Sequence, residues 1–366
     1  MEALSKIKTE VNQFPRLTWH HLHINHGELD VPLSGQCSLK VEPSEMTASG
    51  MEYSLKPLSE SFGRELKLVS QLGREADSAL DAFVEEEKIL VDEFTVKENS
   101  VPDTVKINLL PEENEGSIRD VVLHAESNSK GTFIFTVEKA VGKGSLGLRL
   151  RVFAEENAEV HVVLVNLLSK DFTFFEGISS FVLDNAHVKV TEVHLGGKNV
   201  FSGVRHTLAG FRAKNSGETA YVMGENQELD VNYVTHQIAK ETESSFVTEG
   251  VLSGNAKKVW RGTIDFVKGC SESKGNENEN VLLLTPEVTN KSLPVILCDE
   301  ESVEGSHGTS IGKLGKEVLF YLQSRGVTKE DAERLMVSAK VNSVCRNIND
   351  KETVKKIQNF LGGEEE

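Results

Sequence analysis

The amino-acid sequence predicts a mainly β protein: a long stack of short strands in the middle, closed by a small helical module. Three observations predict it. Between residues 105 and 311, short apolar runs recur, each bounded by Gly, Asn, Ser or charged pairs, as in Thr132-Phe133-Ile134-Phe135-Thr136-Val137 and Val160-His161-Val162-Val163-Leu164-Val165. No long helical pattern separates these runs, which disfavours a doubly wound α/β fold. Finally, Asn157-Ala158-Glu159-Val160-His161-Val162 is echoed by Asn185-Ala186-His187-Val188-Lys189-Val190, and more loosely by Asn255-Ala256-Lys257-Lys258-Val259-Trp260. Echoes of a turn followed by a strand suggest a solenoid. An array of β-sandwiches gives similar statistics, so pattern alone leaves both open.

Taken in order, residues 1–104 form an N-terminal region. Pro15, Pro32, Pro43 and Pro57 punctuate its first part, which reads as irregular chain. Ala76, Ala79, Leu80 and Phe83 then share one helix face, and the run from Ile89 to Phe94 is strand-like. The β core follows at 105–311 and a helical domain at 312–366. There Val318, Leu319 and Leu322 form a stripe, with Gly326 placed to end the helix. Thr328, with Asp331 three residues on, reads as an N-cap for a helix whose apolar face is Ala332, Leu335, Met336 and Ala339. Asp350 caps a third helix with Val354, Ile357, Phe360 and Leu361 spaced for burial.

Forty basic and 57 acidic residues leave a formal charge of −17. A field of that sign repels phosphate backbones and anionic membranes, so neither nucleic acid nor membrane is an expected partner. The N-terminus has no apolar signal core, and a cytoplasmic address is the expectation. The four cysteines, Cys37, Cys270, Cys298 and Cys345, are far apart and form no C-x-x-C pair. They read as reduced, mostly buried thiols. No Walker A motif occurs and no G-x-G-x-x-G opens a helix, so the sequence points away from an enzyme.

Two segments carry metal-ligand chemistry. In Trp19-His20-His21-Leu22-His23-Ile24-Asn25-His26, a strand would put His21 and His23 on one face. The alternative is a row of surface histidines. In Cys298-Asp299-Glu300-Glu301-Ser302-Val303-Glu304-Gly305-Ser306-His307-Gly308-Thr309, a thiol, carboxylates and an imidazole suit iron or zinc, and the glycines beside Ser306-His307 suggest a sharp turn. The alternative is a turn histidine and an inward-facing cysteine.

This second segment also carries a resemblance. Leu293-Pro294-Val295-Ile296-Leu297-Cys298-Asp299, Ser306-His307-Gly308-Thr309-Ser310-Ile311-Gly312 and Leu319-Phe320-Tyr321-Leu322-Gln323-Ser324-Arg325-Gly326-Val327 resemble, in order and spacing, the C-terminal signature of the SufB/SufD family of iron–sulfur cluster assembly scaffolds. Gly250-Val251-Leu252 and Val259-Trp260-Arg261-Gly262 resemble that family's upstream strands, and Arg16-Leu17-Thr18-Trp19 with Asn25 and Leu29 resembles some SufD-type N-termini. The resemblance spans roughly 105–360. It implies a right-handed parallel β-helix, and a non-catalytic scaffold that pairs with a SufB-like subunit or with itself. It also implies that the C-terminal helices, with Leu319, Tyr321, Leu322, Arg325, Leu335 and Met336, dock a SufC-like ABC ATPase.

The resemblance further implies a transient iron–sulfur cluster at the subunit interface, with His307 and Cys298 near it. The family's SufB cysteine is expected on the strand preceding Leu293–Asp299, at a position where this chain has Val288. Together with the Gly305-Ser306-His307-Gly308-Thr309 motif, this favours a SufD-type subunit. Competing readings are a carbohydrate-active β-helix enzyme, a fold-level analogy, and a stand-alone metal binder using His21 and His23.

Overall fold

The computed structural model describes residues 5–15, 22, 24–43, 50–62, 72–138 and 142–362. Its body is a parallel β-solenoid of about eight turns. Each turn gives one strand to each of two facing sheets. Sheet 1 holds Leu90–Val96, Gly116–Ala125, Gly144–Ala154, Phe172–Val182, Asn199–Leu208, Glu228–Gln237, Lys257–Phe266 and Thr289–Cys298. Sheet 2 holds Val105–Leu110, Lys130–Val137, Glu159–Asn166, His187–His194, Lys214–Met223, Glu243–Leu252, Ser273–Leu283 and Val303–Lys313. Pairing is parallel throughout these stacks. Partner offsets run from 26 residues (Thr173↔Asn199) to 32 (Lys257↔Thr289).

The corner from sheet 1 into sheet 2 explains the asparagine echoes. Asn99, Asn128, Asn157, Asn185, Arg212, Glu241 and Glu272 all have φ between 55° and 62°. Asn tolerates this left-handed conformation better than most residues, because its side chain bonds locally. Each residue's N–H donates to a carbonyl of the next coil, as in Asn157 N to Asp184 O at 2.9 Å and Asn185 N to Phe211 O at 2.8 Å. The third echo does not belong to this column. Asn255 lies at the opposite corner, after Gly254 (φ 59°), and leads into a sheet 1 strand.

Alternation sorts each strand. Residues such as Phe174, Ile178, Val188, Val190, Tyr221 and Trp260 face inward and form one continuous core. Both outer faces are also covered, which is why the strands read as near-continuous apolar runs. Over sheet 1 lie a hairpin of Ser5–Val11 and Gly27–Leu33 and helix α1 (Arg74–Glu86), with Ile7, Val11, Leu29, Leu80 and Phe83 packed on Ile118, Val122 and Phe175. The chain then runs toward the far end, where Phe14 and Ile24 meet Leu293. Residues that read as irregular thus supply five strands: the hairpin pair, Gly35–Gln36, Ser38–Glu42 and Met51–Pro57. Their backbone bonds are long-range ones that local punctuation does not announce.

Sheet 2 is covered by two of the three C-terminal helices, α2 (Lys316–Ser324), α3 (Lys329–Cys345) and α4 (Lys351–Gly362). Val341, Val344 and Cys345 of α3, with Ile357 of α4, pack on Val163, Val165, Val193 and Ala220. Ion pairs fasten the edges of this contact: Lys340–Glu249 at 2.5 Å, Lys106–Asp350 at 2.8 Å and Lys356–Glu138 at 2.8 Å. The expected caps are present. Thr328 Oγ1 accepts from Asp331 N, Asp350 accepts from Thr353 N, and Gly326 has φ 84°. The expected face of α3 is not the buried one: Ala332 is buried, but Leu335 is 61% exposed and Ala339 is exposed. The second half of α3 does the packing, because sheet 2 offers its apolar surface there. No described helix is long and apolar enough to cross a membrane.

Candidate functional site

The two ends of the solenoid differ. At the N-terminal end, Met51–Pro57 and Ser38–Glu42 pair antiparallel with the first strands of sheets 1 and 2. At the C-terminal end, Thr289–Cys298 and Val303–Lys313 are the last strands, and among the described residues no strand pairs beyond them. An unpaired edge presents a row of free N–H and C=O groups, which proteins ordinarily shield.

His307 lies in the middle of this edge. It is not in a turn: Val303–Lys313 is one continuous strand, and neither Gly305 nor Gly308 has positive φ. Gly305 answers to crowding instead, since a Cβ there would sit 2.9 Å from the Phe266 ring. His307 pairs in register with Glu277, a buried inward residue, so the exposed imidazole stands on the inward-facing row at the mouth of the solenoid. It borders a groove of about 770 Å³ with Leu22, Ile24, Leu293, Pro294 and Ile311.

Cys298 ends its strand at the neighbouring corner. It is exposed, and its Sγ lies 3.0 Å from Glu300 O. It borders a different groove, of about 660 Å³, with Phe266, Ile296, Asp299 and Glu301. The structure thus brings Cys298 and His307 to the same open end but into separate grooves. The other three cysteines are buried and unpaired, as their isolation suggested. Val288 is half-buried in the bend entering Thr289–Cys298 itself, rather than on a preceding strand. His21 and His23 fall outside the described residues.

Beneath His307 the interior is polar. Glu277 is fully buried, and neither carboxylate oxygen has a hydrogen-bond partner. Desolvation, reinforced by nearby Glu279, pushes its pKa up to about 8. Its carboxyl occupies the space over Gly262, where an added Cβ would lie 2.4 Å from Oε1. The Val259-Trp260-Arg261-Gly262 motif follows from this packing. Trp260 fills the interior and Gly262 clears room for Glu277. Arg261 turns outward to hold Ile24 O at 2.6 Å and Asp230 Oδ1 at 2.7 Å. Buried Lys258 pairs with Glu279 and reaches Ser292 Oγ at 2.9 Å. Desolvation holds the Lys258 pKa down near 8.

Deeper in, Glu176, Glu192 and His194 place one ligand-capable atom each within 4.8 Å of one another, the one such group of three found among the described residues. Desolvation raises Glu176 to about 7. The same cause, with Glu176 beside it, raises Glu192 to about 8, and burial lowers His194. Sequence reading missed all of these interior groups. The available signal was parity: in Val188-x-Val190-x-Glu192-x-His194, polar residues continue an inward apolar series.

The helices carry the second surface. Helix α2 buries no residue. Of the expected docking positions, Tyr321 (57%), Leu335 (61%) and Arg325 are exposed, while Leu319, Leu322 and Met336 are half-buried. Phe320, at 74%, and Val318, at 50%, extend the patch beyond the expected set. The Arg325 guanidinium stands 5.4 Å from the Tyr321 ring centre.

Residues 108–340 match the domain family described as SUF system FeS cluster assembly, SufBD core domain. The chain is 31% identical over 123 residues to the iron–sulfur cluster assembly protein SufD of Bacillus subtilis (strain 168), covering 33% of this chain and 28% of that one. It is 26% identical over 158 residues to an iron–sulfur cluster assembly SufBD family protein of Staphylococcus aureus (strain USA300), covering 43% and 34%. The matched stretches therefore span about a third of these curated relatives.

Proposed function

From the premise that the chain belongs to the SufBD core family of iron–sulfur cluster assembly proteins and is of the SufD type, we propose that it is a non-catalytic scaffold that pairs through the open end of its solenoid. One observation carries this reading. Among the described residues no strand pairs beyond the last parallel strand of either sheet at the C-terminal end, and His307 and Ile311 are exposed there beside an apolar groove. A bare edge with an apolar groove beside it suits β-strand pairing with a SufB-like subunit or a second copy.

At that junction His307 faces the partner. A nascent iron–sulfur cluster, the cargo, is held between subunits, with His307 contributing an imidazole. No group of three ligand-capable side chains that close forms around His307 or Cys298 among the described residues, which supports a site completed from the other subunit. Cys298 lies at the rim and plays a lesser part. The exposed Val318, Phe320, Tyr321 and Leu335 dock a SufC-like ABC ATPase, whose motion is transmitted through α3 to sheet 2.

The test is reconstitution with a SufB-like subunit and a SufC-like ATPase. Ile311→Asp is expected to abolish pairing. His307→Ala is expected to retain pairing but lose cluster yield. Undiminished assembly by both variants would refute the reading.

A further inference from the structure

We infer that the interior of the solenoid contains a divalent-cation site made by Glu176, Glu192 and His194, which bridges the two sheets. It is distinct from the open end. From Phe172–Val182 to the terminal strand of sheet 1 is four strand spacings, about 19 Å at ~4.8 Å each.

Its construction follows from strand parity. On His187–His194, Val193 faces outward under α3, so Glu192 and His194 point inward two residues apart. Glu176 comes from sheet 1, on the inward row of Phe174 and Ile178. All three side chains are fully buried, at 0 to 1% exposure. His194 Nε2 lies 3.3 Å from Glu176 Oε1 and 4.0 Å from Glu192 Oε1.

Two features point to an ion rather than to a closed hydrogen-bond network. First, both oxygens of Glu176 and both ring nitrogens of His194 have no hydrogen-bond partner, although they lie in the middle of the core. Buried polar atoms without partners are costly and rare, and here one ligand-capable atom from each of the three residues lies within 4.8 Å of the other two. Second, Glu192 is oriented from behind. Its Oε2 accepts from Thr219 Oγ1 at 3.0 Å and from the Tyr233 hydroxyl, and its Oε1, to which Ser202 Oγ donates at 3.5 Å, lies 4.0 Å from His194 Nε2. Outer hydroxyls that fix a carboxylate are the support that metal ligands commonly have.

Two carboxylates and one imidazole, with no sulfur, suit Zn²⁺, Fe²⁺ or Mn²⁺ and not a cluster or Cu⁺. The ion joins sheet 1 to sheet 2 midway along the rod. Because no ligand atom reaches solvent, it enters as the coils close and leaves only when they open.

The probe is Zn²⁺. Full-length wild type, Glu176→Gln, His194→Gln and a His21→Ala/His23→Ala double variant are refolded with Zn²⁺, desalted into chelator and assayed by mass spectrometry for bound metal. Wild type and the double variant are expected to retain about one ion per chain, and the two interior variants at least ~10-fold less. X-ray absorption of loaded wild type should show only N/O ligands, near ~2.0–2.1 Å, with an imidazole signature. That reading stands even if an interior variant does not fold. A wild type that retains no zinc, a sulfur shell, loss of zinc from the double variant, or full zinc in both interior variants would each overturn the proposal.

Discussion

Replacing Glu277 by Gln should make the protein resist alkaline conditions better than wild type. Glu277 is sealed beneath His307 with two unpartnered oxygens, and its folded pKa is raised from 4.5 to about 8. The unfolded chain releases this proton near pH 4.5, while the folded chain keeps it until about pH 8. The folded state therefore binds more protons throughout that window, and the associated stability is present below pH 4.5 and lost as pH rises toward 8. The whole interval of ~3.5 units corresponds to about 5 kcal/mol at ~1.4 kcal/mol per unit. Between pH 6 and pH 8, allowing for half-ionisation at the upper limit, the share is about 2 kcal/mol.

Gln is isosteric and cannot ionise, so it removes this dependence while filling the same space over Gly262. Guanidinium unfolding followed by circular dichroism, at intervals from pH 6 to 9, should show the two proteins diverging by about that amount in the variant's favour. All other titrating groups are shared, so the difference curve isolates Glu277. Parallel curves, or divergence in favour of wild type at high pH, would show that Glu277 is ionised in the fold and that the interior under the open end is wet.

Three further outcomes follow from the packing. Ile357→Ala removes a fully buried anchor of α4 on sheet 2 and should cost about 2–5 kcal/mol in chemical denaturation, with the solenoid's circular dichroism retained. Asn157→Val forces a β-branched residue into φ 57° and should cost about 1–2 kcal/mol, whereas Asn157→Gly should be near neutral. Phe320→Asp, on a helix that buries nothing, should leave melting temperature unchanged and abolish co-purification with a SufC-like ATPase. Retained binding would move the docking surface away from α2.

What was legible in the sequence is what is local. The Asn157 and Asn185 echoes are real corners of one column, because the αL requirement recurs once per coil. The column itself was only partly visible, since Arg212, Glu241 and Glu272 adopt the same conformation. There the stacked hydrogen bonds override residue preference. The caps at Thr328 and Asp350 could be read for the same local reason. Non-local decisions could not. Nothing near Leu335 reveals that sheet 2 meets α3 further along, at Val341 and Val344. His307 looked like a turn residue because flanking glycines ordinarily mean turns, but Gly305 is small on account of Phe266, nearly forty residues earlier in the chain.

The same non-local geometry limits where partners can bind. A parallel sheet needs cover on both faces, and this chain supplies it from its own termini: the hairpin and α1 on sheet 1, α3 and α4 on sheet 2. It also adds one antiparallel strand to each sheet before its first coil. Among the described residues, the terminal pair of parallel strands and α2 are two surfaces left unshielded. They adjoin in sequence, since Val303–Lys313 leads almost directly into Lys316–Ser324. If an ATPase docks on α2 as proposed, a force it applies there acts close to the strand carrying His307, while α3 and α4 anchor the rest to sheet 2. If both surfaces bind as proposed, shortening or stiffening the 314–315 link should change how strongly nucleotide affects pairing, without changing either binding reaction measured alone. Equal coupling in a Gly315→Pro variant, with both affinities intact, would show that the two surfaces work independently.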